Sequence, residues 1–161
     1  MKPFKDHTLK EYLDQLAARA PVPGGGSAAA LSSALGAGLI SMVTQYSLGK
    51  GKPKAVELRL QKVLAKSEKI RERLLALVDR DAQAYLGVVA ARKADAKSQI
   101  KAARKAAAVP REICILSYQA VALTPVLVEH GNPYLMSDVE VALELLLAGY
   151  HSAIVMVKAN Q

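Results

Sequence analysis

Apolar residues recur at spacings of three and four along nearly the whole chain, and no stretch shows the strict alternation of a strand. Leu9, Tyr12, Leu13 and Leu16 form the first stripe. Thr8, with Glu11 three residues on, supplies a capping box that starts it. This helix is expected to end near Arg19, ahead of Pro21 and Pro23. A second helix is predicted from about Ser27 to Ser47. A third runs from Lys54 to Ala91, with Val56, Leu60, Val63, Leu64, Ile70, Leu74, Leu77 and Val78 on its buried side. At about 1.5 Å per residue it spans on the order of 55 Å. Arg92 to Ala108 reads as a basic, alanine-rich helix. Pro110 with Glu112 is expected to start another, apolar from Ile113 to Val128 and kinked at Pro125. His130-Gly131-Asn132-Pro133 is a stop and a turn. Ser137 with Glu140 makes a second capping box, and Val141, Ala142, Leu145, Ala148 and Val155 face inward from the last helix. The pattern predicts an all-α, multihelical bundle of about five long helices, one domain over residues 1–161.

The second helix stands apart, because no charged residue occurs between Arg19 and Lys50. Such a run raises the question of a membrane span. Ser27, Ser32, Ser33, Ser41, Thr44 and Gln45 dilute its hydrophobicity, and Leu, Ile and Val are few. Gly36 and Gly38 among alanines and serines instead suit close helix contacts, so a central helix wrapped by others is expected, with no membrane.

Composition agrees with helices: 52% of residues are apolar and only 4% aromatic. The formal charge of +8 suits an acidic or phosphorylated partner, or solubility alone. Arg92, Lys93, Lys97, Lys101, Arg104 and Lys105 read as a solvated face, and poor aromatic interleaving argues against nucleic acid. Cys114 is the single cysteine, so no internal disulfide forms and a cytoplasmic location is expected. The start, MKPFKDHT, carries no apolar signal region. His7, His130 and His151 show no metal-ligand spacing, and no zinc, P-loop or Rossmann pattern is present.

The candidate chemistry centres on Pro21 to Ala30, PVPGGGSAAA. Gly24, Gly25 and Gly26 allow close backbone approach, and Ser27 is expected to cap the helix that follows. A glycine loop at a helix N-terminus aims free N–H groups at one spot, though a plain elbow between helices has the same look. Gly49-Lys50-Gly51-Lys52 is either an anion grip or a solvated turn. Asp81 falls on the buried stripe of the third helix, between Leu77 and Tyr85. Burial raises a carboxyl pKa, which suits a general acid or base. Asp79 lies off the stripe and reads as a surface charge.

Together these pieces resemble the formiminotransferase-cyclodeaminase family, both its cyclodeaminase half and its stand-alone bacterial methenyltetrahydrofolate cyclohydrolases. The matching residues are Pro21, Pro23, Gly24, Gly25, Gly26 and Ser27, then Ser41-Met42-Val43 and Gly49-Lys50. Asp81, Ala82, Ala84 and Tyr85 follow, then Val109-Pro110, Gly131-Asn132 and Ser137-Asp138, all in family order. Met156 stands where the family pattern has asparagine, while Asn160 matches its second asparagine. The resemblance implies a dimeric cytosolic enzyme acting on a one-carbon tetrahydrofolate, with no prosthetic group. Asp81 and Asp138 are then the catalytic candidates. Gly24, Gly25, Gly26, Ser27, Lys50, Asn132 and Ser137 are the substrate-binding ones, and these groups are expected to converge on one pocket. Cyclohydrolase chemistry is favoured over release of ammonia from 5-formiminotetrahydrofolate. The alternative of another class is an inactive helical binding or scaffold module.

Overall fold

The computed structural model describes residues 2–160. Its helices are α1 (Leu9–Ala17), α2 (Gly25–Ser47), α3 (Lys54–Ala91), α4 (Ala96–Val121), α5 (Thr124–His130) and α6 (Met136–Ala159). Short 3₁₀ turns cover Phe4–Asp6 and Pro133–Leu135, and no strand occurs among the described residues. Four helices exceed twenty residues, and these build the bundle. α2 packs on α3 and α6, and α4 closes the ring against the same two. The pairings run antiparallel. Ser41 meets Ser67 while Ser27 meets Asp81, and Gly36 meets Leu146 while Gly25 meets Met156. The fold is therefore an up-down-up-down four-helix bundle, with α1 and α5 as accessories.

The uncharged α2 is long and apolar enough to cross a membrane, as are α4 with α5 and the last helix, by length and composition. In the bundle α2 is the central member. Small residues let α6 approach closely: a Cβ on Gly36 would lie 2.8 Å from the Ala142 carbonyl oxygen, and one on Gly149 2.9 Å from that of Ala29. The buried hydroxyls all find partners. Ser33 and Ser117 are 2.8 Å apart, Ser41 and Ser67 likewise, and Thr44 and Ser47 donate back one turn to Ile40 and Val43. Paired in this way, the polar groups cost little to bury. Ile40, Leu60, Leu74, Leu77, Ile113, Leu127 and Leu146 fill the space between.

The predicted α1 capping box is present, with the Thr8 hydroxyl accepting from the Glu11 N–H and the Glu11 carboxylate from the Thr8 N–H. Four other boundaries differ from expectation. α2 begins at Gly25 with Gly24 as its N-cap, so Ser27 lies inside the first turn and does not cap. Pro110 does not start a helix. It is buried within α4, where packing on α3 and α6 carries the helix through the missing hydrogen bond. Pro125 does not kink a helix either. The chain breaks at Ala122–Leu123, and Pro125 sits in the first turn of α5, where its absent N–H is not needed. The Ser137 and Glu140 capping box does not form. The preceding 3₁₀ turn, held by the Asn132 side chain accepting from the Tyr134 N–H, starts α6 at Met136 and leaves Leu135 as cap.

Candidate active site

At one end of the bundle the first turn of α2 meets the middle of α3. Gly26 has no side chain because the Asp81 carboxylate occupies that space: a Cβ there would lie inside van der Waals contact with all three carboxyl atoms. The next residue supplies the contact, as the Ser27 N–H donates to Asp81 Oδ2 at 3.0 Å. This is one of the free N–H groups at a helix start, where the dipole favours an anion. Burial pushes the Asp81 carboxyl above its ordinary value, and the Ser27 N–H opposes that shift. The result is a partly buried carboxylate at the cavity wall, with one fixed donor on Oδ2 and its Oδ1 against Gly26.

A cavity of about 320 Å³ opens beside it. Pro21, Val22, Gly24 and Gly25 form one wall, and Asp81, Ala84, Tyr85 and Val88 of α3 another. Ala106 of α4, with Met156 and Asn160 of α6, completes it. The sulfur of Met156 lies 3.3 Å from where a Cβ on Gly25 would be, so the thioether packs directly on the glycine turn. The lining is mostly apolar, with Asp81, Tyr85 and Asn160 as its polar side chains, the usual make-up of a small-molecule site.

The other sequence candidates lie elsewhere. The Asn132 N–H donates to Ser47 Oγ at 2.8 Å, at the far end of α2. Lys50 sits in the exposed turn beyond it, where Gly49 and Gly51 take positive φ values of 66° and 70°. Ser137 lines a groove on the side of α6 with Glu140 and Glu144. By the α2–α6 register Asp138 lies opposite Thr44, about 27 Å along the bundle from Gly26 at about 1.5 Å per residue. Gly24, Gly25, Gly26, Ser27 and Asp81 thus come together, whereas Lys50, Asn132, Ser137 and Asp138 do not join them within one chain. Within one chain the expected convergence on one pocket is therefore not seen. Antiparallel packing of α6 on α2 is the reason, since it sets the Asn132 turn and the start of α6 beside the end of α2 and not beside the glycine turn.

Asp79 is also corrected. It is buried, not a surface charge. Its Oδ1 accepts from the Phe4 N–H and its Oδ2 has no hydrogen-bond partner among the described residues. The helical stripe missed this because it saw α3 alone, while the N-terminal 3₁₀ turn packs on that second face. Tyr12 was legible as a core residue of α1. The bond of its hydroxyl to Ser27 Oγ at 3.1 Å was not.

Residues 8–161 match the family model described as formiminotransferase-cyclodeaminase. The chain belongs to the formiminotransferase-cyclodeaminase family. It is 38% identical to a methenyltetrahydrofolate cyclohydrolase of Methylorubrum extorquens, over 96% of this chain and 79% of that protein. It is 30% identical to the formimidoyltransferase-cyclodeaminase of Rattus norvegicus, again over 96% of this chain but only 30% of the rat protein. The crystal structure of a formiminotetrahydrofolate cyclodeaminase from Thermotoga maritima superposes with a TM-score of 0.92 at 29% identity, covering 97% of this chain and 79% of that one. The family's all-helical fold is thus the fold seen here.

Proposed function

We propose that this protein hydrolyses 5,10-methenyltetrahydrofolate to 10-formyltetrahydrofolate. The observation that carries the reading is the Asp81 carboxylate, partly desolvated beside the cavity and held by one N–H of the α2 start. The similarity to a cyclohydrolase over nearly the whole chain supports it. The methenyl carbon lies between N5 and N10 and carries the positive charge of the amidinium. A carboxylate in a site of low dielectric attracts that cation and accepts the proton of an attacking water. The C–O bond forms as the charge on the amidinium is quenched. The C–N5 bond then breaks, Asp81 returns its proton to N5, and the hydroxyl proton leaves as the formyl carbonyl forms. The lost methenyl absorbance, measured on purified protein, tests this directly. Ammonia release from 5-formiminotetrahydrofolate with no loss of methenyl absorbance would assign the cyclodeaminase reaction instead, which the Thermotoga maritima likeness favours. No turnover of either substrate would leave a binding or scaffold role.

The active form in this reading is a homodimer. The outward face of α2 between α3 and α6 is mostly apolar and holds a cavity of about 500 Å³ lined by Leu31, Leu35, Gly38, Met42, Leu75 and Leu145, with Arg71, paired to Glu68, also on its lining. Leu35 is 52% exposed there and Val141 of α6 51%. Neither α2 nor its flanking turns carries a charge that would oppose a second copy until Lys50. A two-fold axis near Gly38, with the α2 helices antiparallel, sets position 26 against position 50 of the other copy. The partner's Lys50 turn would then stand beside this chain's Asp81, restoring in the dimer the convergence that one chain lacks. Light scattering at micromolar concentration is expected to give the mass of two chains. Leu35→Glu is expected to give one chain and to lose turnover with it.

A further inference from the structure

The hydrogen bonds behind Asp81 continue away from the cavity. Ser27 is fully buried, and its hydroxyl lies 3.1 Å from the hydroxyl of Tyr12, itself 95% buried. Tyr12 sits on α1, which makes no other bond to the glycine turn through its side chains. The Phe4 ring packs edge-on to the Tyr12 ring at 6.3 Å, and the Phe4 N–H is tied to Asp79, two residues from Asp81. The N-terminal segment is therefore fastened at both ends to the two elements that form the site. We propose that Tyr12 is a positioning residue for Asp81: its hydroxyl fixes Ser27, and Ser27 presents the first turn of α2 to the carboxylate.

The geometry gives this more content than packing. The Ser27 hydroxyl has no other hydrogen-bond partner among the described residues. Burial raises the Tyr12 pKa, and the negative charge of Asp81 adds to that, so the hydroxyl stays protonated at neutral pH and the bond can run in either direction between the two hydroxyls. Without it, the fully buried Ser27 hydroxyl is left unpaired, a cost that relaxation of the first turn of α2, which carries its N–H, would relieve. The N–H bond is the interaction that holds the Asp81 pKa down against burial. Loosening it leaves burial unopposed. Among the described residues, the glycine turn, α4 and α6 contribute Gly24, Gly25, Ala106, Met156 and Asn160 to the cavity, none of them ionisable, and α3 adds Tyr85 beside Asp81. Arg80, the neighbour on α3, points away to Glu112.

The inference rests on Asp81 being the reacting carboxylate, so its test has one arm that needs no turnover. Carbon-detected NMR of the Asp81 carboxyl is expected to show its titration midpoint rising by at least about 0.3 unit in Tyr12→Phe, and by a similar amount in Ser27→Ala. The double variant should shift no further than either single one, because both act through one bond. In the second arm, Tyr12→Phe is expected to lower kcat for methenyltetrahydrofolate about tenfold or more, with KM changed less than about twofold and the acid limb moved to higher pH. Circular dichroism establishes that each variant is folded. Should Tyr12→Phe fail to fold, Ser27→Ala alone carries the comparison. An unmoved midpoint in the folded variants overturns the proposal. A moved midpoint in a protein with no folate turnover keeps the positioning role and removes the proposed reaction.

Discussion

Asp81→Asn is expected to lower turnover of methenyltetrahydrofolate by about 10²- to 10⁴-fold, the usual contribution of a positioned acid or base. The substitution keeps the shape. An amide oxygen can still accept from the Ser27 N–H, so α2 and α3 stay in register. Only the charge and the proton site are lost. Stability should move the other way. Burial raises the Asp81 pKa in the folded protein, so the folded state holds its proton more tightly than the unfolded chain. That group's contribution is fully present below the unfolded pKa and is lost as pH rises through the folded one. At neutral pH the ionised carboxylate is therefore a net cost to the fold, and the neutral amide removes it. The melting temperature of Asp81→Asn at pH 7 should equal or exceed that of the wild type. Wild-type turnover should fall as pH drops through the raised value, because a protonated Asp81 neither attracts the cation nor accepts a proton. Asp79→Ala is the contrasting variant. It strips the Phe4 N–H of a buried acceptor, which costs about 1–3 kcal/mol, and shows first in melting temperature. Turnover surviving Asp81→Asn within about twofold would move the chemistry elsewhere.

The bundle was readable in the sequence because its information is local. The stripe of α3, the capping box at Thr8 and the uncharged run before Lys50 each describe one helix and its solvent, and α3 falls at Lys54–Ala91 as its pattern implies; the stripes read for α1 and α6 do not hold, since Leu9, Leu13, Val141 and Val155 are exposed while Val139, Leu146 and Ala153 are buried. What failed was information held between helices. Pro110 looks like a helix start to any rule that sees only α4, yet α3 and α6 hold the helix through it. Asp79 looks solvated from the phase of α3, until the N-terminal turn covers it. The site divides in the same way. The glycines and Asp81 could be paired from their chemistry. Their separation from Lys50, Asn132, Ser137 and Asp138 depends on which end of an antiparallel bundle each occupies, and motif order along the chain does not carry that. Met156 and Asn160 reach the cavity only because α6 runs back along α2 to the glycine turn.

Gly26→Ala separates the fold from the chemistry most sharply. The added Cβ falls on the Asp81 carboxylate, so one of the two must move. Moving the helices is expensive, since Ser27, Ala29 and Ala30 just beyond are buried. Rotating a short side chain toward the cavity is cheap. Alanine also favours a helix over glycine by about 1 kcal/mol, which offsets the lost hydrogen bond. The expected result is a protein that melts within a few degrees of the wild type while Asp81 has left the Ser27 N–H. A displacement of about 1 Å at a reacting group costs on the order of 10²-fold, so turnover should fall by at least that much. Gly36→Ala and Gly149→Ala are the mirror cases. Their new Cβ atoms meet the backbone carbonyls of Ala142 and Ala29, which cannot rotate away, and both lie far from the cavity or behind it. They should lower the melting temperature first and reduce turnover only as far as the protein unfolds. Gly26→Ala that kept near-full turnover would show that the carboxylate need not sit against the start of α2. Gly26→Ala that melted like the other two would show that the glycine serves helix packing alone.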